Sequence, residues 1–145
     1  MALSAYLAKS DAASSPSDGA QAPVLTGAVP RDTSPRQALP LMAHATRMES
    51  SGGAARYARV IDPDVDRYLD HHRLDDKPVL PLAFATELMA EAAQATWPDM
   101  QVVAVRSLQL FKGITVEKAP VPVVISARAP VQLNDHGLME ADVEI

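Results

Sequence analysis

The chain has 145 residues, a formal net charge of −5 with neutral histidines, and no cysteine. Its length suits one domain, and because 48% of its residues are hydrophobic but only 4% are aromatic, we expect an aliphatic core of ordinary size. The acidic balance argues against nucleic acid as a partner, because phosphate binding needs clustered lysine and arginine, and the lack of cysteine excludes disulfides, thiolate metal sites and a cysteine nucleophile.

Residues 1–10 are predicted to form a short helix, because Leu3, Tyr6 and Leu7 recur at helical spacing. Two turns of helix are marginal in water unless they dock on something. We interpret this stretch as the tail of an upstream domain. It lacks the apolar core of a signal peptide, and no part of the chain approaches the ~18 apolar residues of a membrane span, so we expect a cytoplasmic protein without membrane contact.

Residues 11–40 are predicted to be a disordered linker. Ala, Ser, Pro, Asp and Gly supply most of the segment, and five of the chain's 12 prolines lie in it. Such a composition buries too little apolar surface to offset the entropy of ordering the chain.

The remainder, residues 41–145, is predicted to be one α+β domain. Segments 44–49 and 55–61 flank a Gly-Gly turn and form a hairpin. A helix follows over 82–95, with an apolar stripe at helical spacing that Pro98 ends. The stripe consists of Phe84, Leu88, Met89, Ala92 and Ala95.

Three later segments, 102–116, 121–128 and 138–145, are predicted to be strands with no helix between them. This order predicts an antiparallel sheet packed on a single helix. The chain stops inside the last strand pattern, which would leave an open sheet edge of the kind that natural domains avoid. We therefore expect the domain to be truncated at its C-terminus and to be a fragment of a larger protein.

The candidate functional residues lie in segment 69–81, whose sequence is Leu-Asp-His-His-Arg-Leu-Asp-Asp-Lys-Pro-Val-Leu-Pro, directly before the helix. His72 is a candidate general base, because imidazole titrates close to neutral pH. Pro78 and Pro81 fix their own φ angles and limit the motion of the loop. The free N–H groups at the start of the helix are suited to polarising a carbonyl oxygen.

The spacing from His72 to Pro81 resembles the His-x-x-x-Gly-x-x-x-x-Pro motif of dehydratase domains in polyketide and polyunsaturated fatty acid synthases. The flanking segments 62–81, 87–93 and 105–114 extend this resemblance over roughly residues 41–145. The resemblance implies a hotdog fold, in which a curled antiparallel sheet wraps a central helix. The chain would supply the N-terminal half of a double hotdog.

The resemblance also implies an activity, namely dehydration of a 3-hydroxyacyl chain on the phosphopantetheine of an acyl carrier protein to the 2-enoyl thioester. His72 would be the catalytic base, and the second hotdog half would supply the acid, so this fragment alone would be inactive or very weak. The residues expected to contact the acyl chain are Val79, Leu80, Pro81 and Leu82. No metal or further cofactor is implied, and the linker would join an upstream ketoreductase-type domain.

Two positions depart from the family pattern. Asp76 stands where the family has glycine, and His71 replaces the aspartate often found before the motif histidine. Aspartate tolerates a positive φ better than most residues, but it adds a carboxylate near His72. A metal site at the two histidines matches no usual ligand spacing.

Three other interpretations stay open at this point. Asp76 favours a non-catalytic, dehydratase-like structural or acyl-binding module. A free-standing single hotdog that dimerises, as in thioesterases and small hydratases, would also fit the fold. The segment around His72 could equally be a solvated polar turn without chemistry.

Overall fold

The computed structural model describes residues 1–9, 39–117, 119–134 and 137–145. The predicted linker lies outside the described residues, except for Leu39 and Pro40. Short 3₁₀ helices cover Pro40–Met42 and Arg67–His71. The other elements are β1 (Ala2–Lys9), β2 (Thr46–Ser51), β3 (Ala54–Ile61), β4 (Arg73–Leu74), β5 (Lys77–Pro78), α1 (Leu82–Thr96), β6 (Met100–Gln109), β7 (Val121–Ala127), β8 (Val131–Gln132) and β9 (Met139–Glu144).

The main sheet has the strand order β2-β3-β7-β9-β1-β6, and β8 pairs with β9 beside this path. All of its pairings are antiparallel. Helix α1 packs against β1, β3, β6, β7 and β9, so it lies across the sheet. One helix held against an antiparallel sheet is the hotdog arrangement, and the predicted α+β architecture is confirmed.

The core between helix and sheet is aliphatic, as the composition predicted. On the helix, Leu88, Met89 and Ala92 are at most 1% exposed, and the strands contribute Ile61, Ile125 and Val143 from the opposite side. The apolar stripe of α1 therefore faces the sheet. Within the described residues, no helix is long and apolar enough to cross a membrane.

The N-terminal residues correct one prediction. Residues 2–9 form strand β1, not a helix, and they pair with β6 on one side and β9 on the other. Leu3, Ala5 and Leu7 are buried at every second position, which is the period of a strand. Two ladders of backbone hydrogen bonds and this burial outweigh a helical propensity that is weak over two turns. Residues 2–9 therefore belong to this sheet.

The last strand corrects a second prediction. Strand β9 does not leave an open edge, because it lies inside the sheet with neighbours on both sides. Ala141 is paired with Ala5 of β1, and Val143 is paired with Ala127 of β7. The alternating pattern of residues 138–145 identified the strand but carried no information about its place in the sheet.

The 3₁₀ helix Pro40–Met42 lies close to the predicted start of the domain. The Met42 N–H donates to a carboxylate oxygen of the buried Glu91 on α1 at 2.9 Å. The Arg59 Nε–H donates to the Leu41 carbonyl at 2.7 Å. These two bonds tie the start of the domain to the helix and to β3.

Candidate active site

The histidine segment folds into a small hairpin in which β4 and β5 are joined by a two-residue turn. The turn residues Asp75 and Asp76 both have positive φ angles, of 49° and 61°. Two consecutive positive φ angles in a two-residue loop define a type I′ turn, which matches the right-handed twist of the strands. Asp76 therefore adopts the left-handed conformation that glycine would adopt without strain.

Hydrogen bonds extend the hairpin to His72. The Arg73 side chain donates to the Asp70 carbonyl at 3.3 Å and to the Asp76 carbonyl at 3.0 Å. The Val79 N–H donates to the His72 carbonyl at 3.0 Å, so the ladder continues one step beyond β4 and β5. The backbone of His72 is thus held on the strand side by this ladder.

On its other side, His72 directly follows the 3₁₀ helix Arg67–His71, which is anchored in two ways. The buried Asp66 forms a two-pronged ion pair with the buried Arg59 of β3, and one of the two bonds measures 3.2 Å. The Tyr68 ring stacks on Phe84 of α1 with ring centroids 4.0 Å apart. Burial, followed by the charge of Asp66, raises the pKa of Tyr68 to about 12.

The N-terminus of α1 follows three residues after Val79 and is open. Pro81 precedes the helix and supplies no side-chain cap, and the first turn contains no acidic residue. The first helical bond runs from the Ala85 N–H to the Pro81 carbonyl at 2.9 Å. The N–H groups of residues 82–84 precede this ladder and carry the positive end of the helix dipole.

The structure brings three of the four predicted acyl-contact residues to the site surface. Val79 and Pro81 are half-buried, and Leu82 is 40% exposed. Leu80 does not lie with them, because its side chain is 3% exposed and packs in the core. Alternate residues of an extended segment face opposite sides, so Val79 and Leu80 could not both face the site.

His72 itself is exposed, and its side chain makes no hydrogen bond or ion pair with the described part of the chain. A catalytic imidazole normally has one ring nitrogen held by a partner. The described residues supply a fixed backbone for His72 but no such partner.

Sequence reasoning missed the residues that support the hairpin. Phe84 was assigned only to the core stripe, and Tyr68, Arg59 and Asp66 had no assigned role. The pairing of an arginine on β3 with an aspartate seven residues later depends on how the chain turns between them. No local pattern in the sequence marks that turn as the place of a buried ion pair.

A cavity of about 270 Å³ lies elsewhere, between α1 and β6, and residues 69–82 do not line it. Glu91 lines this cavity, and its Oε1 atom is buried without a hydrogen-bond partner in the described structure. Burial raises the pKa of Glu91, while the backbone N–H groups of Met42 and Leu41 oppose that rise. Through its bond from the Met42 N–H, Glu91 holds the start of the domain against α1.

The fold and the site define this chain as a hotdog-fold domain with a histidine-bearing hairpin at the N-terminus of its helix. A family model described as the polyketide synthase dehydratase domain matches residues 40–141, which are more than two thirds of the chain. The chain therefore belongs to this family, as its N-terminal domain, and the resemblance drawn from the motif is confirmed. No curated protein and no solved structure matches the chain.

Proposed function

We propose that this domain takes part in removing water from a 3-hydroxyacyl thioester to give the 2-enoyl thioester within a polyketide or fatty acid synthase. The observation that carries the proposal is the placement of His72. His72 is exposed, and its backbone carbonyl accepts a hydrogen bond from the Val79 N–H. Val79 lies three residues before the start of α1, whose N-terminus has no side-chain cap.

In this proposal, His72 is the base that removes the α-proton of the substrate. Imidazole suits the task because its ordinary titration range gives a useful neutral fraction near neutral pH. The hydrogen-bonded backbone of His72 fixes the position from which its side chain projects. Pro78 and Pro81 limit the motion of the segment that follows. The hydroxyl leaves from the neighbouring carbon with a proton from a separate acid, so the atoms of one water molecule are lost.

The thioester carbonyl would be polarised at the start of α1. Negative charge develops on this oxygen when the α-proton leaves, and free backbone N–H groups stabilise such charge. No acidic side chain lies in the first turn, so no carboxylate of that turn competes with the oxygen for these N–H groups.

The acid and the partner for the imidazole would come from outside the described residues. We propose that a second hotdog half supplies them, and that an acyl carrier protein presents the substrate on its phosphopantetheine. An upstream ketoreductase-type domain would produce the 3-hydroxyacyl group. The proposal needs no metal and no other cofactor, and it places the reaction in the cytoplasm.

The test compares adjacent histidines in the full-length gene product. His71→Ala and His72→Ala remove exposed imidazoles from neighbouring positions of the same segment. Loss of a general base typically lowers the rate by about 10²–10⁴-fold, and we expect this for His72→Ala alone. Mass spectrometry of a 3-hydroxyacyl thioester measures the loss of water, and unchanged dehydration in His72→Ala would falsify the proposal.

The non-catalytic alternative rested on Asp76. Its φ of 61° shows that the turn accommodates aspartate without leaving the left-handed conformation. Asp76→Gly in the full-length gene product tests whether the carboxylate still matters to the chemistry. If both variants are active and their rates agree, the alternative is weakened.

A further inference from the structure

The hairpin has a third strand beside it, which sequence reasoning did not assign to the site. The Leu80 N–H donates to the Ile114 carbonyl at 2.9 Å, and the Val116 N–H donates to the Pro78 carbonyl at 2.8 Å. Between these bonds, Val79 is bridged directly to Thr115 in antiparallel pairing. The segment 113–117 therefore lies alongside the residues that follow His72.

This pairing places three side chains in one row. Arg73 is paired with Pro78 and Leu74 with Lys77, so His72 lies opposite Val79, and Val79 lies opposite Thr115. Residues directly opposite one another in an antiparallel ladder project to the same face. His72, Val79 and Thr115 consequently share a face, with Val79 between two polar side chains.

Burial and an ion pair confirm which face is open. Pro78, Leu80 and Val116 are buried on the core side. The residues that alternate with them are half-buried or exposed, and two of these, Lys77 and Glu117, form an ion pair of 2.6 Å across the next row. The row that contains His72 thus belongs to the solvent-facing side of this small sheet.

Gly113 leaves room at one end of this face. Among the described glycines it alone lacks a positive φ, so the backbone at this position does not itself require glycine. A Cβ atom at Gly113 would lie 3.8 Å from Cγ1 of Val79, so a larger side chain would extend over the space beside Val79. Glycine at this position leaves uncovered the part of Val79 that a side chain would contact.

We propose that Gly113 and Thr115 form the second wall of the substrate site. The open space at Gly113 admits the thioester-linked chain over Val79, and the Thr115 hydroxyl hydrogen-bonds an amide of the phosphopantetheine arm. Two strand spacings separate Thr115 from His72, roughly 10 Å between backbones, so Thr115 is a binding residue and does not take part in proton transfer. This inference rests on the proposed function. It adds Thr115 as a residue that binds the phosphopantetheine arm, and Gly113 as a residue that sets the width of the substrate site.

The experiment measures kcat and KM of the full-length gene product with two 3-hydroxybutyryl thioesters, one of pantetheine and one of propanethiol, which has no amide. Thr115→Val should raise KM about three- to tenfold for the pantetheine thioester only, since one hydrogen bond is lost, and Thr115→Ser should restore it. Gly113→Val should raise KM for both thioesters. Thr46→Val is the matched control, because Thr46 is an exposed threonine on the edge strand β2 and is paired with Ala58 of β3, outside the row that contains Thr115.

A binding measurement separates this inference from the proposed function. The affinity of the pantetheine thioester is measured by calorimetry in the His72→Ala background, with and without Gly113→Val and Thr115→Val. Weaker binding in the double variants supports the inference even if the parent protein turns out not to dehydrate the substrate. Activity that depends on His72, together with affinities and KM values unchanged by both substitutions, overturns the inference and leaves the proposed function standing. If the pantetheine thioester does not bind to the His72→Ala protein, and Gly113→Val and Thr115→Val leave KM unchanged, the inference is overturned as well.

Discussion

The β2–β3 hairpin and the β4–β5 hairpin of this domain use the same turn with different residues. The β2–β3 turn contains Gly52 and Gly53 with φ angles of 57° and 81°, and the β4–β5 turn contains Asp75 and Asp76 with 49° and 61°. Each loop has two residues between paired strands. The comparison shows that the twist of the strands determines the turn conformation, and that aspartate can replace glycine in it at a modest cost in strain.

The hairpins differ more in how they are held. Strand β3 pairs with β7 over seven residues from Ala55 to Ile61, whereas β4 and β5 share only two residue pairs. The site hairpin depends on neighbouring elements, namely segment 113–117, the Tyr68–Phe84 stack and the Arg59–Asp66 ion pair. An isolated two-stranded hairpin is marginally stable in water, so these contacts position His72.

The largest effect is expected from removing the ion pair that connects the two regions. Arg59→Ala leaves Asp66 buried without its partner, and the free energy of unfolding should fall by about 3–5 kcal/mol. Arg56→Ala is the control on the same strand, because its pair with Glu49 is exposed, and a change within about 0.5 kcal/mol is expected. Urea denaturation gives both values, and equal losses would contradict the role assigned to Arg59.

A second, smaller effect tests the turn itself. Asp76→Val places a β-branched residue at a φ of 61°, which should cost about 1–2 kcal/mol of stability. Gly53→Val at a φ of 81° should cost a similar amount in the other hairpin. Asp76→Gly should keep the stability of the parent within about 1 kcal/mol, because relief of strain is offset by a more flexible unfolded chain. Thermal denaturation measures all three, and a neutral Asp76→Val would rule out the type I′ turn.

A third effect is local to the site hairpin. Arg73→Ala removes two exposed hydrogen bonds to backbone carbonyls and should cost about 0.5–1 kcal/mol. The Val79 amide should then exchange its hydrogen faster, since its bond to the His72 carbonyl closes the ladder. Arg67→Ala, which removes only an exposed pair with Asp70, should leave that exchange rate unchanged. Amide hydrogen exchange in the β2–β3 hairpin should be the same in both variants as in the parent.

The smallest effect at neutral pH is expected for Tyr68→Phe, within about 0.5 kcal/mol, because the stack on Phe84 is kept. The pKa of Tyr68 is raised from 10.0 to about 12, so the folded protein keeps a proton that the unfolded chain loses. The stabilisation is complete below pH 10 and is lost as the pH rises through about 12. Stability measured between these values should fall more steeply in the parent than in Tyr68→Phe, and parallel curves would contradict the assignment.

Much of the fold was predictable because its elements carry strong local patterns. The helix, the Gly-Gly hairpin and the alternating strand at β9 all follow from periodicity and turn chemistry. Strand β1 was not predictable in this way. Its residues satisfy a short helical pattern and a strand pattern equally well. Only the backbone pairing with β6 on one side and β9 on the other favours the strand.

In the candidate site, too, some features follow from local sequence patterns and others depend on tertiary contacts. The spacing of His72, Pro81 and the helix start is local, so the sequence alone singled out His72 as the candidate base and identified the family to which the chain belongs. Only the tertiary structure decided that Leu80 turns into the core, that Tyr68 stacks on Phe84, and that Thr115 shares a face with His72. Contacts between residues distant in the sequence depend on how the sheet pairs and closes on the helix, and local patterns do not record that pairing.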